Sequence, residues 1–142
     1  MRSQLGSVAV RVLGLVWISL ALGCDTSIYV RAHVTGVGGE PIEGALASIS
    51  EITRSQGAQA VPTNRAGCVT LEYVTGGFGP QTLMVSMPGH RTVEAKVPMS
   101  RPVFYEIRLV AASDGGTSGA RPVAEADLPC PRGQARSSQH DG

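Results

Sequence analysis

The sequence predicts an all-β fold, an antiparallel Greek-key β-sandwich of about six or seven short strands. Three observations lead there. From Ser27 to Val110 apolar and polar residues alternate at period two, the signature of half-buried strands. Turn residues interrupt that alternation about every ten residues. The 142 residues include 18 Gly and 9 Pro, a content that favours many turns, and nothing between residues 27 and 110 repeats at 3.6 residues. One-sided alternation argues against a parallel sheet, whose strands read as continuous apolar runs.

Each element follows in order. Ile28, Val30, Ala32 and Val34 point inward on the first strand, with Tyr29, Arg31, His33 and Thr35 on the opposite face. "GVGGEPIEG" is dense in turn residues. "ALASIS" is a second strand with Ala45, Ala47 and Ile49 inward, and residues 53–66 read as a long polar connection. "GCVTLEYV" is a third, with Val69, Leu71 and Tyr73 inward. "QTLMVSM" is a fourth, with Leu83 and Val85 inward. Pro88-Gly89 fits the central pair of a type II turn. "RTVEAKV" buries Val93, Ala95 and Val97, and "VFYEIRLV" buries Val103, Tyr105, Ile107 and Leu109. Arg31, Glu72, Glu94, Lys96, Glu106 and Arg108 fall on outward faces, where mixed charges read as solvated sheet surface. Residues 111–142 are rich in Gly, Ala, Ser and Pro without apolar periodicity, and are expected to be a disordered tail.

Within residues 27–110 the residues "PIEGA" (Pro41, Ile42, Gly44, Ala45), Thr63 with Gly67, and Pro88-Gly89 stand between alternating strands. In this order they resemble a carboxypeptidase regulatory-like domain, which has a transthyretin-like β-sandwich. His90 stands where that family has Tyr or Phe. The resemblance implies the fold. It implies no particular activity, because such domains serve as accessory, adhesive or scaffold modules.

The N-terminus has a different character. Arg2 and Arg11 are the charges before Asp25, and Val12–Leu22 is a run of about eleven weakly polar to apolar residues, the size of a secretory h-region and too short to span a membrane. The run ends "LALGC", which resembles a bacterial lipobox, with Gly23 before Cys24. That resemblance implies a signal peptide over residues 1–23 and a diacylglyceryl group on Cys24. The competing reading is an ordinary secretory signal, with Cys24 left as a disulfide partner.

Cysteine count bears on the choice. The chain has 3 Cys, an odd number for an exported protein. If Cys24 carries lipid, Cys68 and Cys130 remain as an even pair. Cys68 faces out from its strand by parity with Val69 and Leu71, and Cys130 lies in "DLPCPRG". A disulfide between them and a pair of free or intermolecular thiols both fit these positions.

Several function classes find no support. The 12 basic residues fall to 10 when Arg2 and Arg11 leave with residues 1–23, against 11 acidic ones, so nothing marks a nucleic-acid surface. "GVGGEPIEG" has Pro41 where a dinucleotide loop has its third Gly, and a strand follows it. His33, His90 and His140 are scattered, with no H-E-x-x-H, H-x-H or C-x-x-C, so no metal or other cofactor is expected. No Gly-x-Ser-x-Gly or Ser-x-x-Lys occurs. The expectation is a non-catalytic lipoprotein anchored in a bacterial envelope, on the periplasmic side or the cell surface. Its β-sandwich would bind a protein or surface polymer. The alternatives are a transthyretin-like small-ligand carrier and a minimal enzyme.

Overall fold

Alternation becomes two sheets in the computed structural model, which describes residues 26–76, 79–99 and 101–132. The proposed signal segment, Cys24, His140 and the last ten residues lie outside the described residues. The elements are β1 (Thr26–Thr35), β2 (Leu46–Ile49), α1 (Ser50–Gln56), β3 (Val61–Pro62), β4 (Cys68–Thr75), β5 (Gln81–Ser86), β6 (Val93–Val97), β7 (Val103–Arg108) and β8 (Gly119–Pro122). A 3₁₀ turn follows at Glu125–Asp127. One sheet has the order β4-β1-β7-β8 and the other β3-β2-β5-β6.

Burial follows the period of the sequence. Ile28, Val30, Ala32 and Val34 of the first sheet share one apolar cluster with Ala47, Ile49, Leu83, Val85, Val93 and Val97 of the second. Leu71, Ile107 and Leu109 complete it from the first sheet's side, and the core is aliphatic apart from Tyr105 and the flanking Tyr73. Residues i, i+2 and i+4 line one face of a strand, so each strand contributes every second residue.

Side-chain and glycine chemistry fix the turns between the sheets. Thr63 is buried, and its Oγ1 donates to the Ile42 carbonyl at 2.6 Å and accepts from the Ala45 N–H at 3.0 Å. Gly67 has φ +71, and a Cβ there would lie 2.4 Å from the Val34 carbonyl oxygen. Only glycine fits both the left-handed backbone and that approach. At Pro88-Gly89 the His90 N–H donates to the Met87 carbonyl at 3.0 Å and Gly89 has φ 77, as a type II turn requires.

Four expectations need correction. The first sheet is mixed, because β1 and β7 pair in parallel, Val30 opposite Val103 through Thr35 opposite Arg108. The chain enters the second sheet at β5 and β6 before returning, so it re-enters beside β1 in the same direction. The described residues hold eight strands, because β3 and β8 were not expected. The region from Ser50 is not all strand end and loop, since α1 occupies Ser50–Gln56. Seven residues bury Ile52 alone, too few to display a helical period, and Gly57 ends the helix at φ 67 with its N–H on the Thr53 carbonyl.

The C-terminal segment is the fourth departure, because the sequence predicts a disordered tail over residues 111–142. Residues 111–132 belong to the fold. β8 pairs antiparallel with β7, Tyr105 opposite Pro122 through Arg108 opposite Gly119. Leu128 and Cys130 are buried beyond it. The pairing of β8 uses backbone groups, which composition does not reveal.

Candidate functional site

The most built part of the surface is the outer face of the first sheet, where the C-terminal segment lies across β1. Strand register sets the geometry. Arg31 sits opposite Thr70 of β4 on one side and Phe104 of β7 on the other. His33 sits between Cys68 and Glu106 in the same way. After β8 the Val123 N–H donates to the Phe104 carbonyl at 3.0 Å, and the chain turns back over this face. Leu128 and Cys130 pack there with Cys68, Phe104 and Val123 as a second apolar cluster.

Cys68 and Cys130 are joined by a disulfide, with their Cα atoms 5.7 Å apart. Arg31, counted among the solvated charges by its parity, is 3% exposed. Parity put it on the outward face correctly, but the C-terminal segment covers that face. Its Nη1 donates to Glu125 Oε1 at 3.1 Å, its Nη2 donates to the Cys130 carbonyl, and its guanidinium stands 5.9 Å from the Phe104 ring centroid. Burial of a charge costs several kcal/mol unless it is paired and hydrogen-bonded. Here a carboxylate, a carbonyl and an aromatic face supply the compensation. Glu125 is about one-third exposed and also takes Arg132 Nε at 2.9 Å. Arg31 therefore ties the 3₁₀ turn to the sheet, while Arg132 pairs with Glu125 within the C-terminal segment itself. His33 Nδ1 is buried beside them without a hydrogen-bond partner.

The chemistry available to this arrangement is thiol–disulfide exchange, and both cysteines are buried at 8% exposure. Exchange needs access of an attacking thiolate to a sulfur. The geometry suits a fastening rather than a reactive centre. Among the described residues no group of three His, Cys, Asp or Glu is placed to hold a metal ion.

An open groove of about 350 Å³ lies beside this face, lined by Thr35, Glu106, Arg108, Ser118 and Arg121. Arg121 Nη2 donates to Glu106 Oε2. That hydrogen bond and the adjacent carboxylate charge raise the guanidinium above its ordinary value. The pair satisfies itself within the groove, which lies open to solvent, unlike an enclosed ligand site.

Cys68 and Cys130 are thus brought together, and Cys24 lies outside the described residues, two positions before the start of β1. Sequence reasoning missed Arg31, Phe104 and Glu125 as partners. One signal was present: Leu128 and Cys130 are spaced by two in "DLPCP", an apolar pair without a core of its own. No family model matches the chain, and no curated protein matches it.

Proposed function

We propose that the protein is a non-catalytic envelope lipoprotein, anchored through Cys24 to a bacterial membrane. Its two sheets form a transthyretin-like, carboxypeptidase regulatory-like β-sandwich that binds another protein or a surface polymer. The observation that carries this reading is the pairing of Cys68 with Cys130. Of three cysteines it leaves Cys24 over, at the end of "LALGC" and beside a folded strand. A disulfide also fits an oxidising compartment outside the cytoplasm. Acyl chains add ~0.8 kcal/mol of membrane affinity per buried methylene, and more than one chain gives stable anchoring.

The sandwich assignment is supported by the shared aliphatic core of the two sheets and by the Thr63 and Gly67 turn. The openness of the groove, which would bury little of a small ligand, favours a binding module over a small-molecule carrier. Crosslinking in intact cells followed by mass spectrometry tests the binding role. A reproducible adduct with an envelope protein or surface polymer is expected, and recovery of the free monomer alone contradicts it.

A further inference from the structure

We infer that one end of the fold rests on the lipid headgroups, and that this end is the one carrying Val74, Pro80, Met99, Arg54 and Arg101. The inference rests on the proposed lipidation of Cys24.

Chain length fixes the end. A residue spans at most ~3.6 Å, so Thr26 lies within about 7 Å of Cys24. Lipidated Cys24 sits at the headgroup level, and β1 starts at Thr26. Thr26 pairs with Thr75, the last residue of β4. Val97 ends β6 opposite Gln81, the first residue of β5, and the chain before β7 returns on the same side, because β7 runs parallel to β1. The α1 helix joins this end, with Gln56 Nε2 donating to the Val74 carbonyl at 3.3 Å. Thr35, the far end of β1, is about 30 Å away at ~3.3 Å per residue.

The chemistry of this end suits an interface. Val74 is 60% exposed, an isolated apolar side chain on an edge strand. Met99 is half-buried, and Pro80, Arg54 and Arg101 are exposed. Glu51, the acidic residue of α1, turns inward and accepts from the Thr82 N–H at 2.8 Å. Asp25 in the tether and exposed Glu72, two residues before Val74 on β4, are the acidic neighbours, and of these only Glu72 is set back from the end by its strand position. Apolar groups flanked by arginines match the boundary between acyl chains and anionic headgroups. The occupant of this end is therefore the bilayer that holds the acyl chains.

The single tryptophan of the chain, Trp17, falls in the segment that processing would remove. A tryptophan introduced into the processed protein then reports its own surroundings. Lipidated protein carrying Val74→Trp, or separately Met99→Trp, is reconstituted into phosphatidylcholine–phosphatidylglycerol vesicles with brominated acyl chains. Val37→Trp, at 52% exposure in the turn after β1, reports the opposite end. Interfacial groups reach ~5–10 Å into the headgroup–acyl boundary, so Val74→Trp and Met99→Trp should lose about half of their emission while Val37→Trp keeps it. Intact mass of the same samples reads the acyl groups on Cys24. Acylated protein in which neither near-end tryptophan is quenched overturns the docking and leaves the lipoprotein reading standing. A mass without acyl groups overturns both.

Discussion

Arg31 of β1 donates a hydrogen bond to the carbonyl of Cys130, ninety-nine residues later in the chain, and that same cysteine is bonded to Cys68 of β4. A buried cation and a covalent bond therefore hold one segment at one place. The segment is poor in apolar residues, so these two fastenings account for its order better than hydrophobic burial does.

The disulfide should contribute most. It closes a loop with a sequence separation of 62. In the chain-entropy account that restriction of the unfolded state is worth about 4 kcal/mol. The double variant Cys68→Ser/Cys130→Ser should lose about that much in urea unfolding. Unreduced protein should also show neither cysteine alkylated by a thiol reagent. Labelling of both in the folded, unreduced protein would contradict the bond.

Arg31→Met keeps much of the side chain's volume and removes its charge. It leaves the Cys130 carbonyl without this donor and Glu125 without one of its two cations. The expected loss is about 1–3 kcal/mol, less than for a fully buried pair because Glu125 is partly exposed. A double-mutant cycle with Glu125→Gln should show coupling. Additive effects would mean that the ion pair does not anchor the 3₁₀ turn.

Thr63→Val removes a hydroxyl that satisfies both a buried N–H and a part-buried carbonyl. Unmet buried groups cost about 1–3 kcal/mol, so thermal unfolding should shift down clearly. An unchanged midpoint would show that Thr63 does not hold the turn.

Glu51 supplies a pH dependence. Burial pushes its carboxyl up, but hydrogen bonds from the Thr82 N–H and Ser50 outweigh burial and hold it below the ordinary 4.5. The folded state therefore binds this proton more weakly than the unfolded chain does. The resulting stability is present above pH 4.5 and disappears as pH falls through the lowered value. The advantage of the native protein over Glu51→Gln should shrink across that interval. A constant difference down to strongly acidic pH would contradict the assignment.

Much of the fold was legible because burial on a strand has period two. Ile28 to Val34, Leu83 with Val85, and Val93 with Val97 announce their faces directly. Thr63 and Gly67 stood out only as residues carrying the family resemblance, and the hydrogen bonds and close approach that use them were not legible. The parallel pairing of β1 with β7 is a property of chain routing, which no local pattern records. α1 is too short to show its period, and β8 joins by backbone hydrogen bonds that "GARP" does not advertise. Arg31 shows the limit most clearly. Alternation tells which face a side chain takes, and coverage of that face depends on residues ninety or more positions away.

Membrane anchoring rests on Cys24, and its most direct measurement is the intact mass of the membrane-extracted protein beside its Cys24→Ser variant. The native protein should begin at Cys24 and carry the added mass of its acyl groups, and the variant should remain unprocessed and without them. A native chain cut elsewhere with an unmodified Cys24, or a variant that matures and fractionates with membranes as before, would contradict the anchored lipoprotein.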